Sequence, residues 1–238
     1  PTNAQARASA DALIRDATPY KVIGGVRFYE RKEIKDALAY LKLVINPHDD
    51  VSLRRVINVP ARGIGKGVID ALEKVEPDDT SDLSPLLAAG LQDVKSARSL
   101  WAKVVVAVER RLLPPRAIAS LRAFRDLIVE LADAARAGAV SLAIGKMLDR
   151  SGYLKDLREE HTEDADARIE NLMELVSAAR EYETRDPDAS LGGFVDRLSL
   201  LSETDEESGN KHARVWLRTL HAAKGLECPV VVMAGLAE

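Results

Sequence analysis

Thr219, His221, Lys224, Gly225 and Glu227 lie within one short stretch between the apolar runs Val215-Trp216-Leu217 and Val230-Val231-Val232-Met233. A hydroxyl, an imidazole, an ammonium and a carboxylate around one glycine make a set suited to phosphate and sugar groups. Gly225 lets the backbone approach a phosphate closely, Lys224 supplies a point charge, and Glu227 can accept from a ribose hydroxyl. Bulky and β-branched runs on either side read as two short strands covered on both faces. The stretch would then leave the carboxyl end of a strand, where ligand sites of open α/β sheets lie. The same residues also fit a helix end followed by a turn, with His221 on the surface. Their chemistry alone leaves both readings open.

A second informative stretch is Pro60-Ala61-Arg62-Gly63-Ile64-Gly65-Lys66-Gly67. Gly63 and Gly65 around Ile64 make a tight hairpin whose backbone N–H groups can hold a phosphate without reading a base. Arg54, Arg55, Arg62 and Lys66 gather positive charge around it. On spacing alone an ordinary glycine-rich connection between helices is the favoured reading, because Gly-x-Gly is common in turns.

Other constellations are missing. A phosphate loop that holds magnesium needs Gly-x-x-x-x-Gly-Lys-Ser/Thr and an acidic pair. Gly65-Lys66 has Pro60 in the upstream glycine slot and Gly67 where the hydroxyl belongs, and Gly145-Lys146 has Val140 and Met147. His48, His161, His212 and His221 lack metal-ligand spacing, and no Gly-x-Ser-x-Gly elbow occurs. No catalytic residue and no cofactor of its own are therefore assigned to this chain. Glu159-Glu160 and Glu163-Asp164 read as a solvated helix end. The basic series Lys95, Arg98, Lys103, Arg110, Arg111 and Arg116 is interleaved with apolar residues and reads first as a solvated face, with a nucleic-acid role weaker.

The elements that must position these stretches are mostly helices. The 238 residues are 46% hydrophobic and only 4% aromatic, rich in Ala, Leu, Arg and Glu, a balance that favours helix. A net charge of −4 gives no global nucleic-acid signature, so phosphate binding must come from local clusters. The single cysteine, Cys228, excludes an intrachain disulfide and fits a reducing cytosol, and no run is apolar and long enough to span a bilayer. Pro1 in place of an initiator Met, and a strand near Glu238, predict a piece of a longer chain.

Along the chain, periodicity predicts a helix over 3–16, a strand at Tyr20–Ile23, a break at Gly24-Gly25 and a helix over 32–44 with Ile34, Leu38, Leu41 and Val44 as its stripe. Further helices are expected near 50–57, 67–75, 83–112, 115–136, 140–149, 166–183 and 190–201. Residues 76–82 read as an acidic loop, and 203–210 as a linker. Strands at the two ends with helices between them give the expected fold class. It is mainly α, with an all-helical inserted domain carried on a small partial α/β sheet formed by the two chain ends. The expected division is 1–48 with 212–238 for the sheet and 49–211 for the helices.

The pattern Thr219-x-His221-x-Ala223-Lys224-Gly225-Leu226-Glu227, followed by Pro229 and a valine run, resembles motif V of the UvrD/PcrA/Rep group of superfamily I DNA helicases. Cys228 stands where that family usually has Phe. Thr2-Asn3-Ala4-Gln5-Ala6-Arg7 is similar to the family's motif IV block, with Pro1 where an Arg usually precedes it. Gly24-Gly25-x-x-Phe28-x-Glu30-x-x-Glu33-Ile34-Lys35-Asp36 resembles the opening of its inserted helical subdomain, called 2B. Arg168-Ile169-Glu170-Asn171-Leu172-x-Glu174-Leu175 extends the likeness, with Ile169, Leu172 and Leu175 or Val176 as a buried stripe and Arg168 beside an acid.

The resemblance implies a fragment of an ATP-dependent 3′ to 5′ DNA helicase acting in repair or replication, with ATP and magnesium needed by the parent protein. It implies that Gly225 and Glu227 face the nucleotide, and that Thr219, His221 and Lys224 face single-stranded DNA or couple it to ATP. It also implies that Arg62, Gly63, Ile64, Gly65 and Lys66 lean on duplex phosphate. Implied partners are a single-strand/duplex DNA junction, the rest of the helicase chain and repair proteins, without a membrane, in a bacterial cytosol close to the nucleoid. The competing expectation is a helical protein-interaction or regulatory module that touches DNA incidentally.

Overall fold

The computed structural model describes residues 12–13, 16, 18, 20–23, 28–76, 98–207, 215–218 and 230–233. The described chain is mainly helical. After strand β1 (Tyr20–Ile23) and a 3-10 turn at Phe28–Glu30 come α1 (Lys32–Ile45), α2 (Asp50–Val56) and α3 (Lys66–Glu73). These are followed by α4 (Leu100–Arg110), α5 (Pro115–Ala137), α6 (Val140–Arg150), α7 (Tyr153–Glu160), α8 (Glu163–Arg185), α9 (Leu191–Glu207) and strand β2 (Val215–Arg218).

Helix α1 is the axle of the helical body. The expected stripe Ile34, Leu38, Leu41 and Val44 is buried, but so are Ala37, Ala39, Tyr40 and Leu43, so the helix is apolar nearly all round. Such a helix must be enclosed, and α2, α5, α6, α8 and α9 pack around it. By packing, α1 joins the other helices. Its polar residues carry the reason. Glu33 and Asp36 are 5% and 2% exposed, and each is bonded to the helical body. Asn171 Nδ2 on α8 donates to Glu33 Oε1 at 2.7 Å, while Arg31 Nη1 donates to Asn171 Oδ1 at 2.5 Å. Asp36 accepts from Tyr153 Oη of α7 at 2.8 Å and from Arg55 Nε of α2 at 2.8 Å. Buried carboxylates need such partners, because an unpaired one loses its hydration with nothing in return.

Some helix starts follow side-chain caps, one of them supplied by another helix. Asp49 accepts from the Val51 and Ser52 amides to begin α2, and Thr162 accepts from Ala165 N to begin α8. Pro115 occupies the first position of α5, where no N–H is needed. The start of α6 is capped by Glu183 of α8, which takes the Ser141 amide at 2.6 Å and its hydroxyl at 2.9 Å. On α8, Leu172 and Leu175 are buried as the expected stripe requires, and Arg168 pairs with Asp164 and, at 3.5 Å, with Glu160.

Three expectations change. Helix α7, which follows Gly152 in the left-handed region, was not expected; its stripe of Tyr153, Leu154 and Leu157 is too short to stand out from a polar sequence. Within the expected helix 83–112 the described part is α4 from Leu100, and residues 77–97 lie outside the described residues. Strand β2 forms and pairs in parallel with β1, Tyr20 against Val215 through Ile23 against Arg218. The run Val230–Met233, by contrast, is neither strand nor buried, with Val230 and Val232 at 80% and 85% exposed. Trp216 too is half exposed. A β-branched run becomes a covered strand only where neighbours supply ladder partners, and none of the described elements does so for 230–233.

Truncating Asn171→Ala leaves Glu33 buried without its donor and should lower stability by about 1–3 kcal/mol. Leu142→Ala, at an exposed position of α6, should change it by less than about 0.5 kcal/mol. Urea denaturation of both variants checks the difference.

Candidate nucleic-acid interface

Between α2 and α3 the chain makes a compact turn over 57–65, closed by one side chain. Asn58 Oδ1 accepts from the Arg62 amide at 2.8 Å and from the Ile64 amide at 3.0 Å, pulling both ends of the turn together. The Val59–Pro60 peptide is cis and Gly63 sits at φ 75°. Ile64, 1% exposed, plugs the turn into the core.

Arg62 provides the second anchor, and it points inward. Its Nη1 donates to the carbonyls of Val56 and Pro60 at 3.3 and 3.1 Å, and its Nη2 to Tyr40 Oη at 2.7 Å and to the Ser151 carbonyl at 2.8 Å. The guanidinium stands 5.8 Å from the Tyr40 ring centre and 5.5 Å from that of Phe124, within range of attraction to both π faces. Tyr40 Oη donates in turn to the Val59 carbonyl at 2.5 Å. One side chain thereby fastens the turn to α1, α2, α5 and the joint between α6 and α7. Burial pushes the Tyr40 hydroxyl up to about 12, with the nearby Arg62 charge opposing that rise.

What faces outward is the glycine edge. Gly63, Gly65, Lys66 and Gly67 are exposed. Gly65 caps α3, its carbonyl taking the Val68 and Ile69 amides. The amides of Gly65, Lys66 and Gly67 have no acceptor among the described residues. They are the free donors that every helix start leaves. A Cβ on Gly65 would meet nothing within 4 Å, so solvent, or a ligand, reaches the backbone here.

The charge around this edge is smaller than the sequence suggests. Arg54 pairs with Glu73 at 2.7 Å, Arg55 with Asp36, and Arg62 is committed to carbonyls and rings. Of the four cations expected at the turn, Lys66 is the one presented to solvent without an acidic partner among the described residues. Thus, of Arg62, Gly63, Ile64, Gly65 and Lys66, the structure presents Gly63, Gly65 and Lys66 and turns Arg62 and Ile64 into the body. Asn58, Tyr40 and Ser151, which hold the turn, were not singled out from sequence. Asn58 alone had a signal, an Asn two residues before a proline at a helix end. Thr219, His221, Lys224, Gly225 and Glu227 lie outside the described residues, as do Thr2–Arg7 and Gly24-Gly25. Among the described residues no group of acids, histidines or cysteines could hold a metal ion, and no helix is long and apolar enough to cross a membrane.

The sequence is similar to a known family and to known proteins. The model of the UvrD-like helicase C-terminal domain matches residues 1–238. The chain is 36% identical over 243 residues to the ATP-dependent DNA helicase PcrA of Bacillus subtilis, covering 100% of this chain and 30% of that protein. It is 34% identical over 242 residues to DNA helicase II of Escherichia coli, covering 100% of this chain and 31% of the relative. It is 38% identical over 254 residues to the ATP-dependent DNA helicase UvrD1 of Mycobacterium tuberculosis, covering 98% and 30%. The chain belongs to the UvrD-like helicase C-terminal domain family. It spans about three-tenths of the length of these relatives.

Two measurements test the geometry. Gly63→Ala forces a side chain into the left-handed region and should cost about 1–2 kcal/mol, whereas Gly65→Ala, with open space and ordinary backbone, should leave the urea midpoint nearly unchanged. At alkaline pH, Tyr40 ionises more easily in the unfolded chain, near 10, than in the folded one, near 12. Its share of stability is full below pH 10 and lost as pH rises toward 12. Thermal unfolding between pH 9 and 12 should show that decline, reduced in Tyr40→Phe.

Proposed function

We propose that the chain is part of an ATP-dependent DNA helicase that unwinds duplex DNA with 3′ to 5′ polarity, serving repair or replication. In this reading residues 28–207 form the inserted helical subdomain. The segments around β1 and β2 form the edge of the second motor domain, whose sheet is completed by the rest of the helicase chain. Gly225 and Glu227 face the nucleotide, and Thr219, His221 and Lys224 meet the single strand or couple it to ATP. ATP and magnesium are bound by the parent protein, since this chain carries no phosphate loop. The helical subdomain touches the duplex ahead of the junction and tunes unwinding, and repair proteins are further partners.

The observation that carries the reading is the turn at Gly63–Lys66: the amides of Gly65, Lys66 and Gly67, without an acceptor among the described residues, and one ammonium, on a turn held by Asn58 and Arg62. Backbone N–H groups in a fixed turn suit phosphate and ignore base identity. Arg62 is in this reading the anchor of the turn, and Ile64 its plug. That three relatives are named as DNA helicases supports DNA as the polyanion.

Binding of the 238-residue chain to a short duplex with a single-stranded tail should therefore be independent of sequence and weaken steeply with salt. Lys66→Ala should lower the slope of log affinity against log salt by about 0.9, one phosphate contact. Binding without salt dependence, indifferent to that change, would point instead to a helical protein-interaction module. ATP turnover by the isolated chain would overturn the assignment of the nucleotide site to the parent protein.

A further inference from the structure

We propose that Arg111 and Arg116, at the turn joining α4 to α5, form a second phosphate-binding edge beside Lys66, so that a nucleic-acid backbone is gripped from two elements. The inference rests on the reading of the Gly63–Lys66 turn given above. Two separate contacts put the turns at one end of the body. A Cβ on Gly63 would stand 3.9 Å from Ser120 Oγ on α5. Arg116 precedes Ser120 by four residues, hence on the same face and about 6 Å along the axis. Helical side chains lean toward the amino end, which carries the Arg116 guanidinium past the start of α5. The other contact is Lys103 Nζ at the start of α4, donating to the Glu73 carbonyl at the end of α3 at 2.5 Å. Helices α3 and α4 pack side by side, so the start of α3, with Lys66, runs toward the end of α4, where Arg111 stands.

Several cations of the body are neutralised, and others, Lys35, Lys74, Arg122 and Lys146 among them, are exposed with no acid in ion-pairing distance among the described residues; Lys66, Arg111 and Arg116 are the ones that stand at these two turns. Arg125, Arg136 and Arg150 meet Asp126, Asp133 and Glu130 at 2.8, 2.7 and 2.8 Å, and Arg54 meets Glu73. Lys66, Arg111 and Arg116 are exposed, and no acid lies within ion-pairing distance of them among the described residues. Along α5 the positions three and four residues beyond Arg116 are Ala119 and Ser120, so no acid shares its face. The acids closest in sequence are Asp70 on α3 and Glu109 on α4. Arg111 closes α4 in the left-handed region, at φ 54°, with its amide on the Ala107 carbonyl, and its side chain is left to solvent. In a chain of net charge −4, three cations without an acidic partner among the described residues, on two adjoining turns, make a local site for a polyanion. Phosphates repeat about every 3.4 Å of axis per strand, so neighbouring phosphates of one backbone can meet both edges.

The test is anisotropy of the 238-residue chain on the same tailed duplex, titrated with salt. Arg111→Asn/Arg116→Gln, with Asn chosen because it tolerates the left-handed region, should lower the salt slope by about 1.8. Its urea midpoint should match wild type, and Arg116→Lys alone should keep the wild-type slope, as a point charge suffices for phosphate. If Lys66→Ala lowers the slope and the double variant does not, this second edge is overturned and the glycine turn stands. Loss in the double variant with none in Lys66→Ala supports the arginine edge and removes the glycine turn. No effect of either change overturns both. Arg116→Lys losing as much slope as Arg116→Gln marks a structural residue and also overturns the proposal.

Discussion

The outward face of the glycine turn depends on an inward arginine. Four hydrogen bonds and two ring faces fix the Arg62 guanidinium among α1, α2, α5 and the α6–α7 joint. A planar fork with five donors can satisfy carbonyls in several directions at once, which an ammonium on a flexible stem does less well. The turn is ordered as the protein folds, so little conformational freedom is left to lose when its amides meet a ligand.

The same logic runs through α1. A helix enclosed on all sides would be expected to carry only apolar residues, yet Glu33 and Asp36 face the body and are matched by Asn171, Tyr153 and Arg55. Because such bonds form only when the right helices stand at the right height, they select one arrangement of α1, α2, α7 and α8 among many that would bury similar apolar area. Tyr40 joins this polar interior to the turn, since its hydroxyl serves both Arg62 and the Val59 carbonyl.

Charge is sorted in three ways. Most arginines of α5 and α8 are neutralised by acids on their own or neighbouring helices, a pattern that leaves a weak outer field. Arg62 is drawn into the body, and the exposed Arg55 is held by the buried Asp36. Others, such as Lys35, Arg122 and Lys146, and with them Lys66, Arg111 and Arg116, are exposed with no acid in ion-pairing distance among the described residues; the last three stand at the turns before α3 and α5.

Much was readable from the residues themselves. Helices near 32–45, 50–56, 115–137 and 140–150 follow from apolar spacing and proline or glycine stops, because those signals are local, as is the strand at Tyr20–Ile23. The glycine turn was legible as a turn. Its facing was not: Arg62 reads as a surface cation until Tyr40, Phe124 and Ser151, far away in sequence, close around it. Likewise Glu183 capping α6, the burial of Glu33, and the neutralisation of Arg54 and Arg55 are pairings between distant residues that no periodicity records. The apolar run at 230–233 shows the reverse case, where a strand-like composition lacks partners among the described elements. Sequence alone determined which segments would be helical and which residues could meet phosphate, since both follow from side-chain chemistry over a few neighbours. Only the tertiary structure decided which of those cations reach solvent, because a guanidinium goes wherever acceptors and ring faces converge, and that convergence exists only once the helices have packed.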